Sequence, residues 1–384
     1  MLTCIRNGKV IKASCCGFEE KDLWIQDGRI TTAEKAPDQV IDAGDCYLLP
    51  GLVDIHTHGA MGVNYQVPGD FDRALMYAAG QGVTTVLPTI ATRPMEALLA
   101  AIRNIQSQKE KNLPGAAIGG IHLEGPFITR TGAMLSTQVP CTVENFRVLA
   151  DCAGDLLKVM TLAPERENAV EVIAEGVSRG VRMSIGHTEA DYDTAMAAID
   201  AGATGATHVL NVMPPFSHRA PGTVGAVLTE ERVSCEVICD MIHLAPATVK
   251  LVRAAKGLEK MILISDSGLI AGLGDGEYTV DGNVRFVKDG VCRNARGALA
   301  ASTFSMAESA RRLVQLGFSL GDIARIGAYN PAQAVGLDHE IGTLETGKRA
   351  DILFCDEAFH IKKVLTRGVE VPLSPGTVQG GNHV

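Results

Sequence analysis

The sequence predicts an α/β protein: a (β/α)₈ TIM-like barrel with a small β-sandwich domain formed by both termini. Three observations predict this fold. Eight apolar runs alternate with helical patterns through the middle of the 384-residue chain, which is typical of a parallel α/β barrel. Both ends are instead rich in short strand-like runs and turns. Polar residues recur where the apolar runs stop, and active sites collect at that edge of a barrel.

The two termini are expected to form one domain. Residues 1–50 hold short apolar runs and the pair Asp27-Gly28, which is a strong hairpin signal. Residues 340–384 repeat this pattern of strands and turns. Each segment alone has too few strands to be stable, so we expect residues 1–50 and 340–384 to form the β-sandwich domain. Residues 51–339 then form the barrel.

Eight runs are candidate barrel strands because each is short, apolar and followed by a turn or a helical pattern. Helical stretches separate most of them, for example residues 167–179 and 191–201. Two amphipathic helices, near 305–316 and 320–326, are expected to pack on the barrel. The runs end with Asp54-Ile-His56, Thr84-Thr-Val-Leu-Pro88, Ile121-His-Leu-Glu124, Val159-Met-Thr-Leu-Ala163, Met183-Ser-Ile-Gly-His187, Ala206-Thr-His208, Val237-Ile-Cys-Asp240 and Leu263-Ile-Ser-Asp266.

Composition excludes several classes of partner. The net charge of -9 argues against nucleic acid and anionic membranes as partners, although a locally basic pocket for a small anion remains compatible with it. The ten cysteines form no CxxC pair, which favours reduced, buried thiols in a cytosolic protein. The first residues lack the pattern of a secretory signal, and no apolar run approaches membrane-spanning length. We expect a soluble, cytoplasmic protein.

The stretch Ile121-His-Leu-Glu-Gly-Pro-Phe127 places one carboxylate at the end of a strand. Residues 116–123 are nearly all small or branched, which predicts a continuous buried strand, and Gly125-Pro126 ends it directly after Glu124. His56 and His58 stand two residues apart at the first candidate strand, so both imidazoles face the same way. Two converging imidazoles are natural metal ligands, although an HxH pair alone is a weak signal.

His187 and His208 close two consecutive apolar runs. Taken singly, each is more simply explained as a core histidine bonded to the backbone. Together with Glu124 they predict a divalent metal site of two histidines and one carboxylate, which leaves coordination positions open for water.

Asp266 ends the apolar run Met261-Ile-Leu-Ile-Ser265. A carboxylate in such surroundings is costly unless it is paired or bound. It is predicted to accept the proton of a metal-activated water; the alternative is a helix N-cap.

His243 and Arg219 lie on predicted loops at the barrel mouth. Arg219 could hold a phosphate in a forked geometry, although a solvated arginine is the simpler explanation for that residue alone.

Together these motifs resemble the N-acetylglucosamine-6-phosphate deacetylase family of the amidohydrolase superfamily. The resemblance runs from Pro50-Gly-Leu-Val-Asp-Ile-His-Thr-His58 to Gly342-Thr-Leu-Glu-Thr-Gly-Lys-Arg-Ala-Asp351. Its most specific motifs are His122-Leu-Glu-Gly-Pro126, Thr161-Leu-Ala-Pro-Glu165, Thr207-His-Val-Leu-Asn-Val-Met-Pro214 and Ala271-Gly-Leu-Gly-Asp-Gly-Glu-Tyr278. The resemblance implies a metal-dependent hydrolase of amino sugar metabolism that forms a homodimer.

The resemblance also implies residue roles. Glu124, His187 and His208 match the metal ligands, and Asp266 matches the general base that later protonates the leaving amine. His56 and His58 match members that hold a second ion, so one or two divalent ions per subunit are expected, with zinc first and iron, manganese or cobalt as alternatives. Substrate-binding positions for sugar and phosphate, some reaching a neighbouring subunit, are matched by Asn211, the Val212 backbone, Arg219, His243 and Ala133.

One loop departs from the family pattern. After His122-Leu-Glu-Gly-Pro126 the family usually has a histidine that touches the substrate, and Met134 stands in its place. The expected reaction is removal of acetyl from a phosphorylated N-acetyl amino sugar, with N-acetylglucosamine 6-phosphate first. The alternatives are N-acetylgalactosamine 6-phosphate, another N-acyl compound, or a non-catalytic paralogue that binds a sugar phosphate.

Overall fold

A computed structural model describes residues 1–12, 17–32, 35–132, 134, 139–280 and 282–374. Its centre is a parallel sheet that curls into a barrel, which confirms the predicted fold class. The eight barrel strands, numbered here in chain order, are Leu52–Thr57, Val83–Ala91, the pair Ala117–Ile118 with Ile121–Glu124, Leu157–Leu162, Arg182–Ile185, Gly205–Ala206, Ser234–Ile238 and Met261–Ile264.

The barrel is nearly closed between its eighth and first strands. Beyond the end of strand 8, the backbone N–H of Asp266 donates to the carbonyl of His56 at 3.0 Å. The N–H of His58 donates to the carbonyl of Ser267 at 2.7 Å. These two hydrogen bonds bring the predicted general base beside the predicted His56–His58 pair, although some 210 residues separate them in the chain.

The third barrel strand differs from its prediction. Residues 116–123 form two short pieces that pair with different parts of strand 2 rather than one continuous strand. Gly119 and Gly120 lie at the break, and added Cβ atoms would come within 2.7 Å of Thr85 and 2.3 Å of Lys158. Glycine is therefore needed for close approach there, and two adjacent glycines also weaken a strand.

Helices cover the outside of the barrel. Two predicted helices are confirmed at Ala169–Ser178 and Tyr192–Asp200, and Asp191 caps the second by accepting from the N–H of Thr194 at 2.9 Å. The last predicted helices become Met306–Gln315, then Leu320–Ala324 continuing through a π-helical turn, Arg325–Tyr329. The other helices are Asp72–Gly80, Met95–Glu110, Val143–Ala153, Gly222–Thr229, Pro246–Lys256 and Asn330–Ala334, with short 3₁₀ turns at Gly154–Leu156 and Leu258–Lys260.

Strands from both ends of the chain share one sheet outside the barrel. Its six strands run in the spatial order Val369–Val371, Ile361–Thr366, Ile352–Cys355, Tyr47–Pro50, Lys9–Ile11 and Phe18–Glu20. A second sheet contains Arg29–Thr31, Leu23–Gln26, Leu2–Arg6 and Gln39–Asp42. A small core that includes Ile5, Ile25, Leu48 and Phe354 lies between them. The domain bounds 1–50 and 340–384 stay a prediction.

A three-stranded antiparallel sheet follows the eighth barrel strand. Its strands are Gly276–Val280, Asn283–Lys288 and Val291–Asn294; it is called the wall sheet below. A small hairpin, Gly59–Ala60 with Val63–Asn64, follows the first barrel strand. Both elements rise from the carboxyl edge of the barrel. Among the described residues, no helix has the length and apolar character needed to cross a membrane.

Candidate active site

Three predicted site residues stand just beyond barrel strands in left-handed backbone conformations. The φ angles are 52° at His187, 30° at His208 and 48° at Asp266. Such angles are unfavourable for non-glycine residues and tend to mark functional sites. At His187 the surroundings hold the backbone, because its carbonyl accepts from the N–H groups of Thr129 and Arg130 at 3.0 and 2.9 Å. The turns aim these side chains at the barrel axis, and no helix begins at Asp266.

Glu124, His187 and His208 form a close triangle. Glu124 Oε1 lies 3.0 Å from Nε2 of His187 and 3.0 Å from Nε2 of His208, and the two nitrogens are 3.0 Å apart. All three residues are buried. The chain positions of these residues span 84 residues, and three separate barrel strands bring them together.

His56, His58 and Asp266 form a second group beside the first. Asp266 Oδ1 lies 3.5 Å from His56 Nε2 and 3.4 Å from His58 Nε2. Glu124 joins the two groups, since its Oε1 is 3.3 Å from His56 Nε2 and its Oε2 is 3.2 Å from His58 Nε2. Each group offers three ligand atoms close enough together to share one ion.

The second ring nitrogen of three of these histidines is bonded away from the centre. His187 Nδ1 lies 2.6 Å from the Arg130 carbonyl, and His58 Nδ1 lies 3.2 Å from the Thr89 carbonyl. His56 Nδ1 lies 3.0 Å from Glu236 Oε2. Because a carbonyl or carboxylate can only accept, each Nδ1 carries a proton, which leaves each Nε2 facing the centre and available to a metal ion, as in metal-bound histidine.

These residues fit a divalent cation. Ligands bonded at about 2.0–2.1 Å to a tetrahedral ion lie roughly 3.3 Å apart, close to the 3.0 Å spacing in the first group. His56 Nε2 is buried with no hydrogen-bond partner among the described residues. The Nε2 atoms of His187 and His208 lie 3.0 Å apart and both lie 3.0 Å from Glu124 Oε1, a spacing that a shared cation would satisfy.

The electrostatics show the same demand for positive charge. Burial alone would raise the pKa of Glu124, but His56 and His187 hold it well below its ordinary value. Burial also opposes ionisation of Asp266, yet His56 and His58 lower its pKa to about 2. Burial would lower the pKa of His58, and the facing carboxylates Asp266 and Glu124 raise it to about 9. Two ionised carboxylates thus require nearby cations, which protons or metal ions can supply.

A cavity of about 450 Å³ opens above these groups. Of the predicted substrate-binding residues, Asn211, Val212 and His243 line it, as does Met134. Arg219 is exposed and is not among the lining residues of its own chain, and Ala133 lies outside the described residues. The substrate-binding roles of all these residues stay predictions.

His243 is held rigidly in the cavity wall. Its Nδ1 lies 2.7 Å from Asp240 Oδ2, and its Nε2 lies 3.1 Å from the Ala300 carbonyl. Ser302 donates to the same Asp240 oxygen at 3.1 Å. Burial would lower the pKa of His243, and Asp240 outweighs burial and raises it. With an acceptor at both ring nitrogens, the protonated, cationic form of His243 is favoured at the cavity wall.

Sequence reasoning missed two parts of the site. The wall sheet contributes Val280, Asn283, Arg285, Cys292 and Asn294 to the cavity lining. The second omission is Glu236, buried behind His56. A signal for Glu236 existed, because a glutamate interrupts the apolar run Val233–Ile238.

His122, part of the glutamate motif, packs edge-on against the ring of His56 at 4.6 Å but points neither ring nitrogen at the metal groups. Its Nε2 lies 2.8 Å from the Thr161 hydroxyl and its Nδ1 lies 3.2 Å from the Ile55 carbonyl. Burial, together with the neighbouring His56, holds the pKa of His122 well below its ordinary value. It is a neutral histidine that ties barrel strands together.

Comparison with known proteins gives one family. Residues 47–371 match the sequence model of the amidohydrolase family. An N-acetylgalactosamine-6-phosphate deacetylase of Escherichia coli O157:H7 is 34% identical over 362 residues, covering 91% of this chain and 94% of that protein. An N-acetylglucosamine-6-phosphate deacetylase of Bacillus subtilis is 35% identical over 361 residues, covering 90% of this chain and 91% of that protein.

Solved structures agree over almost the whole chain. An N-acetylglucosamine-6-phosphate deacetylase from Pasteurella multocida superposes with a TM-score of 0.88 at 28% identity, covering 96% of this chain and 99% of that one. A mutant of the Mycobacterium smegmatis enzyme in complex with N-acetyl-D-glucosamine-6-phosphate also gives 0.88, at 31% identity, covering 97% and 99%. A D-hydantoinase, at 17% identity and a TM-score of 0.67, shares the fold.

Proposed function

This chain belongs to the amidohydrolase family, and we propose that it removes the acetyl group from an N-acetylated amino sugar 6-phosphate, first of all N-acetylglucosamine 6-phosphate. The products are the amino sugar phosphate and acetate. One observation carries the proposal: Glu124, His187, His208 and Asp266 converge at the floor of a cavity that arginines also line. Relatives named as deacetylases of such sugar phosphates, at 34–35% identity, support it.

The family implies a divalent cation, and Glu124, His187 and His208 are the residues that would hold it. When bound, such a cation makes water more acidic and polarises the acetyl carbonyl. We expect zinc, because two imidazoles and one carboxylate with an open position form a common catalytic zinc site; iron, manganese and cobalt are the alternatives. His56, His58 and Asp266 would hold a second ion, so one or two per chain are expected.

Asp266 is proposed to move the proton. A carboxylate is ordinarily ionised at neutral pH, and Asp266 Oδ1 lies 3.5 and 3.4 Å from Nε2 of His56 and His58 at the cavity floor, so it can accept a proton from the attacking water. An amine is a poor leaving group until its nitrogen is protonated. Asp266 therefore has to return this proton to the amide nitrogen as the carbon–nitrogen bond breaks, since otherwise the intermediate reverts to the amide.

The upper cavity is proposed to hold the sugar phosphate. His243 brings one positive charge, and Arg93 and Arg285 line the same space. Among the described residues, Arg285 has no carboxylate within ion-pair distance, and it lies on the wall sheet facing the cavity. Arginine forks match phosphate oxygens in geometry and charge. Asn211 and the Val212 backbone would bind the sugar.

Two further features are expectations. Arg219 is exposed and does not line the cavity of its own chain, and we propose a homodimer in which its loop reaches the neighbouring chain's substrate. The eight described cysteines are free thiols, which supports the reducing cytoplasm as the location.

N-acetylgalactosamine 6-phosphate is the second candidate substrate. Two observations favour it: Met134 lines the cavity where the family usually has a histidine, and a relative of 34% identity bears that name. Galactosamine differs from glucosamine only in the configuration of one hydroxyl, so a single altered contact can change which of the two sugars the site prefers. Another N-acyl substrate, or a non-catalytic sugar-phosphate-binding protein, are the remaining alternatives.

A substrate panel tests the proposal. The zinc-loaded protein is assayed for acetate release from both N-acetyl amino sugar 6-phosphates and from their unphosphorylated forms. We expect turnover of at least one phosphorylated sugar and a much lower kcat/KM without phosphate. Turnover should vanish after chelation and return with a divalent cation. A metal-loaded protein that releases no acetate from any of the four compounds contradicts the proposal.

A further inference from the structure

Glu236 is a buried carboxylate that the proposed reaction does not use. It lies on barrel strand 7 with no measurable exposure. Its Oε2 is 3.0 Å from His56 Nδ1, and its Oε1 has no hydrogen-bond partner among the described residues. The nearby, half-buried Arg182 bonds to the carbonyl and hydroxyl of Ser234 at 3.2 and 2.8 Å rather than to Glu236. Burying a carboxylate with a single hydrogen-bond partner is expensive even with the Arg182 charge nearby, so a role for it is expected.

The contact with Glu236 fixes the direction of the His56 ring. The two nitrogens of an imidazole point to opposite sides, so a hydrogen bond from Nδ1 to Glu236 aims Nε2 at the space between the two metal groups. There Nε2 lies 3.3 Å from Glu124 Oε1 and 3.5 Å from Asp266 Oδ1 without a hydrogen bond. The ring is thereby set in the tautomer that binds a cation.

His56 differs from the other histidines of the site in this support. Backbone carbonyls hold His187 and His58, and His208 Nδ1 has no partner among the described residues. A carboxylate partner increases the basicity of the imidazole more than a carbonyl partner does. Its negative charge therefore makes the opposite ring nitrogen a stronger metal ligand. The extra negative charge therefore lies behind the group that a second cation would occupy.

We propose that Glu236 is the positioning residue that makes the second cation site, formed by His56, His58 and Asp266 beside the shared Glu124, able to hold an ion. The proposal rests on the proposed function for the first cation, on Glu124, His187 and His208. Glu236 touches neither substrate nor ion and acts only through His56. Loss of such an outer carboxylate typically weakens metal affinity by about 10- to 100-fold.

The test measures metal content rather than turnover. Wild type, Glu236→Gln and Glu236→Ala are loaded with zinc or cobalt, titrated with a chelator, and analysed for ions per chain and for the cobalt absorption spectrum. We expect two ions in the wild type, with the weaker one bound about 10- to 100-fold less tightly in the alanine variant and by an intermediate amount in the glutamine variant. The tighter ion should be unchanged.

Two controls separate positioning from damage to the fold. Cys235→Ala changes the preceding residue on the same strand, whose thiol lies 3.8 Å from the Val227 carbonyl on the outer side of the barrel, and should leave both ions in place. His56→Asn removes the proposed ligand itself and should reproduce the loss of the weaker ion. Glu236→Gln keeps an acceptor for Nδ1, so the question stays answerable if the alanine variant does not fold.

Two results overturn the proposal: a wild type that binds a single ion under saturating metal, or Glu236 variants that hold the second ion as tightly as the wild type. Either result leaves acetate release untouched as a separate measurement. A protein that binds two ions, loses one in the Glu236 variants and deacetylates nothing would keep this role and contradict the proposed function.

Discussion

The floor of the cavity and the wall sheet are built in opposite ways. At the floor, side chains from different barrel strands meet within about 3 Å of one another, and Glu124, His56 and His208 are almost wholly buried. The wall sheet lies on the rim of the barrel, and most of its residues are partly or fully exposed. The floor therefore holds its reactive side chains in fixed positions. Residues of the wall sheet are less constrained by packing, so they can be substituted more easily.

This contrast assigns the two regions different kinetic signatures. Interactions that strengthen only in the transition state change kcat, whereas contacts with an unreacting phosphate change mainly KM. Substitutions at the floor should therefore reduce kcat, and substitutions in the wall sheet should raise KM for the phosphorylated substrate. Each prediction below challenges that division.

The largest effect is expected for Asp266→Asn. Asparagine keeps the size of the side chain but cannot accept the water proton, so kcat should fall by about 10²- to 10⁴-fold. The ion on Glu124, His187 and His208 should remain, as measured by metal analysis. Asp193→Asn, an exposed carboxylate on an outer helix, is the matched control. Normal turnover by the Asp266 variant would remove the proposed base.

The floor could be predicted from sequence for a physical reason. Each of its residues lies at or beside the end of an apolar run, and parallel strands of one barrel end on the same edge. Glu124, His187, His208 and Asp266 therefore had to approach one another once the eight runs were recognised. Separation along the sequence does not indicate which of these residues are neighbours, because closure of the barrel brings Asp266 next to His56.

The wall sheet and the buried Glu236 could not be predicted in the same way. The wall sheet mixes polar and apolar residues, and which face of it meets the cavity depends on how it docks against the barrel. Glu236 shows a different limit. A carboxylate in an apolar strand indicates that a partner exists but does not identify it. The partner here is His56, 180 residues away in the chain. Which residue becomes the partner depends on which face of strand 7 points into the barrel. The break at Gly119 and Gly120 likewise depends on neighbouring strands.

Arg285→Ala is the next prediction and tests the wall directly. Removing a cation that contacts phosphate should raise KM for the phosphorylated sugar about tenfold, the order of one charged hydrogen bond, with kcat little changed. The unphosphorylated sugar should be unaffected. Arg293→Ala is the control, because Arg293 lies on the neighbouring wall strand, is exposed and bonds to the Gly297 carbonyl. Equal losses for both sugars would contradict a role in phosphate binding.

His243 should give a smaller effect that depends on pH. Asp240 raises the pKa of His243 against the effect of burial, so the imidazolium persists to a higher pH than in a free histidine and is lost as pH rises through that raised pKa. Affinity for the phosphorylated sugar should therefore weaken on the alkaline side by about three- to tenfold, the order of one partly screened charge. The measurement is kcat/KM against pH, in which His243→Asn should lack this phosphate-specific decline. If kcat/KM for the unphosphorylated sugar declined equally at alkaline pH, the titrating group would belong to the cavity floor rather than to His243.

The smallest effect on KM is expected for Asp275→Ala, because Asp275 stabilises the wall sheet and does not itself contact the substrate. Asp275 accepts from the backbone N–H groups of Gly290 and Asp289 at 2.9 and 2.8 Å, and these bonds lower its pKa. They fix the turn that joins the Arg285 strand to the next strand of the wall sheet. Asp275→Ala frees that turn, but the ladder pairing of Arg285 with Asn294 remains, so KM should rise only about two- to threefold, as for most exposed substitutions.

Glu277→Ala, another exposed carboxylate on the wall sheet without these backbone contacts, should leave KM unchanged. The comparison is informative because both substitutions remove one negative charge near the cavity, which by itself would strengthen phosphate binding. A lower KM in both variants would show that overall charge, rather than the position of the wall, controls how phosphate binds. A higher KM in Asp275→Ala alone would show that the wall must be held in place for Arg285 to reach its ligand.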